Sequence, residues 1–167
     1  MAWSQTAPEL PSGRAWEQEK SISGWSNHWN FTGKLYIARL NGNQFAIKAE
    51  LTSTNGSYGT YYPPAKWKLR CDVGGVTGTE DTSFDVSKGT TTFYFVGEAG
   101  EGVNITVKVG GVGAAVAVQT ATFTAPALLG STLYFKVGGT WKQATLYRKG
   151  GTWKNALAEF KTGGTWK

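Results

Sequence analysis

The sequence predicts an all-β protein, an Ig-like or fibronectin-like β-sandwich followed by C-terminal β-hairpin repeats. Three observations lead to this fold class. The chain has 167 residues with 23 Gly and 8 Trp, a composition typical of short strands joined by tight turns. Apolar and polar residues alternate in several stretches, whereas no stretch has helical spacing. Finally, the last eight residues are the third copy of one turn-forming pattern.

Residues 31–125 are expected to form the sandwich domain. Its clearest element is a hairpin in which strands 34–40 and 44–54 flank Asn41-Gly42, a strong short-range hairpin signal. Successive side chains of a strand point to opposite faces, so the second strand separates into an inner and an outer set. The inner set is Phe45, Ile47, Ala49 and Leu51.

Further strands are expected at 66–73, 90–96, 103–109 and 114–124. Two of them alternate regularly, which predicts Trp67, Leu69, Cys71 and Val73 inside, together with Val103, Ile105, Val107 and Val109. About seven short strands with regularly spaced turns are typical of an Ig-like sandwich, and a jelly roll is the close alternative.

The first 30 residues are rich in Trp and are expected to be irregular. We interpret them as an N-terminal arm, either docked on a neighbouring subunit or covering the sandwich. The candidate assembly residues of this arm are Trp3, Trp16, Trp25 and Trp29.

Residues 126–130 are interpreted as a linker to the repeat region, 131–167. Three octapeptides there share the order aromatic, basic, any residue, Gly, Gly, Thr, Trp, Lys: 135–142, 147–154 and 160–167. Gly-Gly between two strand-like flanks suits a two-residue hairpin loop, because Gly adopts positive φ without strain. Three GGTWK hairpins are therefore predicted.

A Gly-Gly loop also fixes the register of each hairpin. The residue two before the glycines then faces the Trp, which pairs Lys136 with Trp141, Arg148 with Trp153, and Lys161 with Trp166. One position further out, an aromatic residue faces Lys142, Lys154 and Lys167. Two interpretations stay open: the Trp rings form the core of a small sheet, or the Trp/Lys sites are exposed and contact a glycan or a partner protein.

No constellation of catalytic residues is apparent, so we expect no enzyme, cofactor or metal site. With Cys71 and His28 as the sole Cys and His, neither an intramolecular disulfide nor a structural zinc site can form. The acids Glu80, Asp81 and Asp85 lack the spacing of an EF-hand loop. The pair Glu98 and Glu101 lies in a glycine-rich turn without a pocket signal, and a glycosidase is only a weak alternative.

The chain is basic, with a net charge of +6, but no recognised nucleic-acid motif accompanies that charge. We interpret the basic residues as a solvated hairpin face, in which positive edge residues resist edge-to-edge pairing. We therefore expect no nucleic-acid partner. No apolar stretch approaches the length of a membrane span, and the first residues lack the pattern of a signal peptide. Membrane insertion is therefore not expected.

The repeats 138–142, 150–154 and 163–167 resemble the Gly-Gly-x-Trp-Lys tails of virion proteins from tailed bacteriophages, particularly tail and tail-tip components. The resemblance implies a non-enzymatic structural protein of the tail or capsid exterior, made in the host bacterial cytoplasm and located in the virion. Its implied partners are other virion proteins, with homo-oligomerisation because virion positions are symmetric. The alternative is a carbohydrate-binding or receptor-binding module that stacks Trp141, Trp153 and Trp166 on a host surface glycan.

The repeats are also partly similar to the Gly-Trp repeats of choline-binding cell-wall modules. Those repeats are longer and carry paired aromatic residues after the Trp. Here a Lys follows each Trp, and its charge would repel choline. We therefore set that family aside.

Overall fold

The computed structural model describes residues 2–63, 66–112 and 116–127, together with the strand backbones at 133–137, 140–144, 161–162 and 165–166. The described residues are all-β and include no helix, hence none long and apolar enough to cross a membrane. The chain divides into two compact units, Met1–Leu129 and Gly130–Lys167.

Two antiparallel sheets make up the first unit. The larger has the order β1-β6-β4-β3-β2, and the smaller has the order β5-β7-β8. The bounds of the strands are β1 Trp3–Ser4, β2 Glu17–Trp25, β3 Trp29–Arg39, β4 Gln44–Asn55, β5 Trp67–Val73, β6 Gly89–Glu98, β7 Asn104–Gly111 and β8 Gln119–Thr124.

The predicted hairpin around Asn41-Gly42 is confirmed. Strands β3 and β4 pair from Trp29 opposite Asn55 to Arg39 opposite Phe45. Gly42 has a φ of 56°, a conformation that most residues with a Cβ avoid. The four residues expected to face inward from β4 are buried, so the alternation in the sequence did specify the core face.

A shared apolar core lies between the two sheets and is centred on Trp67 of β5. Its ring lies 5.5 Å from that of Trp29, 5.6 Å from that of Phe31 and 6.2 Å from that of Phe93, measured between centroids. These three partners belong to the larger sheet, so the aromatic cluster joins one sheet to the other. Cys71 is buried in this core, as predicted.

The expectation of an irregular N-terminal arm is wrong for two stretches, β1 and β2. They occupy opposite edges of the larger sheet, so the connecting residues 5–16 pass from one edge to the other. Strand β2 has no alternating apolar pattern to detect, because only Ile22 and Gly24 are buried along it. Trp3 and Trp29 belong to the core of this unit.

The last strand of the smaller sheet begins later than the expected residue 114. It starts at Gln119, and before it the side chain of Val116 packs over β2. A Cβ added at Gly24 would lie 2.5 Å from Val116 Cγ1. The stretch before β8 is therefore used for packing between the two sheets.

The second unit contains two short antiparallel pairs. β9 (Leu133–Val137) pairs with β10 (Thr140–Ala144), and β11 (Lys161–Thr162) pairs with β12 (Thr165–Trp166). Trp141 lies opposite Lys136, Lys142 opposite Phe135, and Trp166 opposite Lys161. These positions match the predicted register of the first and third copies. The second copy, with Arg148, Trp153 and Lys154, lies outside the described residues, as does Lys167, so the set of three hairpins stays a prediction.

Candidate binding surface

One end of the sandwich is built from two short segments that hold each other in place. The β2–β3 turn and the β4–β5 loop are joined by backbone hydrogen bonds, in which Tyr58 N–H donates to Asn27 O at 2.9 Å and Tyr62 N–H donates to His28 O at 3.0 Å. We call this region, residues 25–29 and 56–62, the aromatic end.

Gly56 permits this close approach of the two segments. A Cβ added there would collide with the backbone of Asn27 and His28. Gly59 then closes the loop with a φ of 70°, and its N–H donates to Gly56 O at 3.0 Å. The loop therefore has a defined conformation that depends on two glycines.

Three large aromatic side chains are displayed at the aromatic end. Trp25 is 74% exposed, Tyr58 66% and Tyr62 71%. The ring of His28 lies between the two tyrosines, edge-on, with centroid distances of 5.2 Å to Tyr58 and 5.7 Å to Tyr62. Its Nδ1 lies 3.0 Å from Thr60 Oγ1, so the imidazole has a fixed orientation within a surface cluster.

Beneath these rings, a chain of buried hydrogen bonds anchors the loop to the core. Trp29 Nε1–H donates to Ser53 Oγ at 2.7 Å, and Ser53 Oγ lies 2.8 Å from the Tyr61 hydroxyl. Buried polar groups need such partners. The displayed aromatic end therefore has a satisfied polar connection to the interior.

Trp25 also borders a depression of about 480 Å³ on the surface. The rest of its lining is small or polar and contributes hydroxyl and amide groups. Its other lining residues are Ser23, Ser26, Asn27, Ala117 and Gln119. An exposed indole beside hydroxyl and amide groups is the combination that a ligand with both apolar and polar faces requires.

A second depression, of about 490 Å³, lies on the outer face of the larger sheet and shares Ser23 with the first. The outward side chains around it are mainly hydroxyls, with one ammonium and one carboxylate. Those residues are Ser21, Ser23, Thr32, Lys34, Glu50, Thr52 and Thr90. The two depressions are therefore adjacent.

Further along the same face, Lys48 lies between aromatic rings. Tyr36, Lys48 and Tyr94 are in register across β3, β4 and β6, and Lys48 Nζ lies 4.3 Å from the Tyr36 ring centroid and 5.6 Å from that of Trp16. Trp16, which immediately precedes β2, also lies 6.0 Å from Tyr94. Cation–π contacts of this kind contribute about 0.5–1 kcal/mol at exposed sites.

The two lysines beside the second depression are each paired with a carboxylate. Lys34 Nζ lies 3.0 Å from Glu19, and Lys48 Nζ lies 3.0 Å from Glu50. The hydrogen bond from Lys34 lowers the pKa of Glu19. Burial of its hydroxyl and the hydrogen bond with Glu19 raise the pKa of Tyr36. At neutral pH the two cations and two carboxylates cancel.

The outer face of the smaller sheet carries more basic than acidic side chains around its depression. Its depression, about 300 Å³, is lined by three basic side chains, those of Lys68, Arg70 and Lys108, with one acidic residue, Glu80. Partial burial acts to raise the pKa of Asp72, but the Gly78 N–H and Lys108 lower it overall. Lys68 Nζ lies 3.1 Å from Glu80, and Lys108 Nζ lies 3.2 Å from Asp72, so these charged side chains pair with one another across the sheet.

The groups considered for catalysis are dispersed in the described part of the chain. Burial raises the pKa of Cys71 to about 12, which disfavours the thiolate that a nucleophile needs. His28 lies in the tyrosine cluster. Asp81 accepts hydrogen bonds from the N–H and hydroxyl of Ser83. Among the described residues, no three His, Cys, Asp or Glu side chains could together hold a metal ion.

The four tryptophans of the candidate assembly arm are not brought together. Trp3 and Trp29 are in the core, Trp16 lies half-buried on the outer sheet face, and Trp25 is displayed. Tyr58 and Tyr62 were not among the candidate residues predicted from the sequence, because loop residues carry no periodic signal.

No family model, no curated protein and no solved structure matches this chain.

Proposed function

We propose that this chain is a non-enzymatic structural protein of a bacteriophage virion, located on the tail or the capsid exterior. In this proposal an Ig-like sandwich forms the body, and the GGTWK repeats make contacts between subunits and with other virion proteins. The protein is a homo-oligomer made in the bacterial cytoplasm. The resemblance of the repeats to the tails of virion proteins is the starting point of the proposal.

The Ig-like assignment is supported by the order of the strands. In an Ig sandwich, strands B and E are neighbours in one sheet, and C, F and G form the other. Here β4 lies beside β6, as B lies beside E. The second sheet has the order β5-β7-β8, which corresponds to C, F and G. A buried Trp on strand C is also a hallmark of antibody domains, and Trp67 occupies β5. The N-terminal β1 takes the edge place that strand D would hold.

The observation that carries the assembly role is the shared register of two repeat copies. In the strand register, Trp141 lies opposite Lys136 and Trp166 lies opposite Lys161, so two copies share the same backbone pairing. Isolated two-stranded hairpins are marginal in water. Tandem copies of one such unit gain stability from contacts with one another or with neighbouring subunits.

Light scattering coupled to size-exclusion chromatography tests this role on the full chain. The variant replaces Trp141, Trp153 and Trp166 by Ala, which removes the indole of every repeat. We expect the wild type to be an oligomer of defined mass and the variant to dissociate at the same concentration, because the apolar contact area is lost.

The matched control changes Thr140, Thr152 and Thr165 to Ser in the same repeats and should keep the oligomer. A monomeric wild type would contradict homo-oligomerisation through the repeats. An oligomer that survives the triple Trp→Ala change would place the subunit contacts elsewhere.

The second candidate function is binding of a host surface glycan by the repeats. The recurring position of a Lys opposite a Trp in the strand register favours it, since aromatic and cationic residues together are suited to a sugar with polar substituents. In that case the triple Trp→Ala variant would lose binding to host cell envelopes while its oligomeric mass stayed unchanged. Retained binding would contradict this candidate.

A further inference from the structure

The two adjacent depressions along the larger sheet form one open track that begins at Trp25. From these residues we infer that the outer face of the larger sheet binds a neutral oligosaccharide, with the Trp25 indole as its stacking platform. This site is formed by residues of the first unit and goes beyond the proposed virion role.

The composition of the track matches the surface of a sugar. A pyranose ring has an apolar C–H face and a rim of hydroxyls, so it needs an aromatic platform and many hydrogen-bonding groups. The exposed Trp25 supplies the platform. An amide is available at Asn27, and hydroxyls continue along the sheet at Ser23 and Thr32. The Gln119 amide also lines the depression, with one Nε2–H donated to Ala117 O at 2.9 Å. A dry apolar partner would leave these groups without hydrogen bonds, at a cost in free energy.

The charges on the face select a neutral ligand. Lys34 is engaged by Glu19, and Lys48 by Glu50, each at 3.0 Å. An anionic polysaccharide would have to displace a carboxylate from its cation, and a cationic ligand would face the reverse problem. Hydrogen bonds to already paired charges remain available to a neutral sugar.

The track is long enough for more than one sugar ring. Outward residues of β3 recur every second position, from Asn30, opposite Trp25, through Thr32 to Lys34. At about 3.4 Å per residue, these rows span about 14 Å. The face is held by strand pairing, so binding requires little ordering of the protein.

The experiment uses the full-length chain on an array of immobilised neutral and acidic glycans. The strongest neutral hit is then titrated in solution by calorimetry. We expect at least one neutral oligosaccharide to bind, and Trp25→Ala to weaken its affinity by about tenfold or more, an effect of about 1.4 kcal/mol. Thr32→Val, which keeps the shape and strand preference but removes a hydroxyl, should weaken binding to a smaller extent.

The control is Val76→Ala, which shortens an apolar side chain that is as exposed as Trp25 but lies in the turn after β5, outside both depressions; this variant should bind as the wild type does. Thermal melting of each variant confirms that it is folded. The inference is overturned if no neutral glycan binds, if only acidic glycans bind, or if folded Trp25→Ala and Thr32→Val both keep wild-type affinity. Binding that is lost in the Trp141, Trp153 and Trp166 variant but kept in Trp25→Ala would assign glycan recognition to the repeats instead.

Discussion

Strand β3 begins at Trp29, in the aromatic end, and ends at Arg39, so we call the opposite end of the sandwich the Arg39 end. One end buries a charged side chain, and the other exposes large aromatic ones. At the Arg39 end, the guanidinium is fully buried. Its Nη1 donates to Asn43 O at 3.0 Å and to Ala99 O at 2.7 Å, and its Nε donates to Pro126 O at 3.0 Å. At the other end, Trp25 is exposed beside Tyr58 and Tyr62. A residue type that usually stays in water is inside, and one that usually packs is outside.

The comparison shows that residue type alone does not assign a side chain to the core or to the surface. Desolvation lowers the pKa of Arg39, yet the guanidinium has enough backbone acceptors to remain buried. It ties the last segment of the sandwich, at Pro126, to the β3–β4 hairpin. The displayed rings form no such tie, so their removal should be tolerated by the fold.

A large loss of stability is expected when the hydrogen bonds of Arg39 are removed. Arg39→Met keeps an unbranched side chain but leaves the carbonyls of Ala99 and Pro126 without the guanidinium donor, while the Asn43 carbonyl keeps the Ala99 N–H as its donor. Each unsatisfied buried group costs about 1–3 kcal/mol, so the free energy of unfolding should fall by about 3 kcal/mol or more. Urea denaturation measures this change. Lys20→Met, at an exposed position of β2, is the control. If Arg39→Met lowered the free energy of unfolding no more than the control does, the hydrogen bonds of Arg39 would not be holding the segment at Pro126 in place.

A smaller loss in the free energy of unfolding is expected when the contact between the two segments of the aromatic end is disturbed. Gly56→Ala forces a Cβ into the backbone of Asn27 and His28, which should cost about 1–3 kcal/mol. The loop must move, so the Tyr58 and Tyr62 resonances should shift in NMR spectra. Gly100→Ala is the control, since its nearest contact would be a comfortable 3.9 Å. Equal stability of the two variants would mean that the two segments are not closely joined.

The buried hydrogen-bond chain under the aromatic end should contribute less again. Ser53→Ala leaves Trp29 Nε1–H without its acceptor and frees the Tyr61 hydroxyl. We expect a loss of about 1–2 kcal/mol in the free energy of unfolding, measured by thermal melting. Ser21→Ala, an exposed serine on β2, should melt as the wild type does. A Ser53 variant with the same melting temperature would show that another group satisfies the indole.

The smallest effect is expected for the displayed ring. Trp25→Ala should change the free energy of unfolding by less than about 0.5 kcal/mol, because the ring buries little surface. Trp29→Ala, only four residues away, should cost about 3–5 kcal/mol. Chemical denaturation of the pair gives a direct comparison, and similar losses for both would contradict the assignment of one ring to the surface and the other to the core.

Much of the central fold could be predicted from the sequence because its strands alternate. The Asn41-Gly42 turn and the inward set of β4 are specified by local chemistry and period. Strand β2 could not be predicted, because an edge strand with a polar outer face has few buried positions. It also contains a bulge in which Gln18 has a φ of 53° and its side-chain amide hydrogen-bonds the backbone of Thr124.

The candidate site was less accessible to prediction. Trp25 belonged to a set of four tryptophans that the sequence could not divide, since irregular spacing gives no inward and outward faces. Its separation from Trp29 follows from the pairing of β2 with β3. The hydroxyl track likewise exists only because β2, β3, β4 and β6 are neighbours, an order that no local pattern encodes.

The most direct test of the contrast between the buried and the displayed rings is hydroxyl-radical footprinting of the full-length protein, analysed residue by residue with mass spectrometry. We expect rapid oxidation of Trp25, Tyr58 and Tyr62, and strong protection of Trp29 and Trp67. Protection of Trp25 equal to that of Trp29 would contradict the exposure of Trp25, because the stacking platform would then be covered.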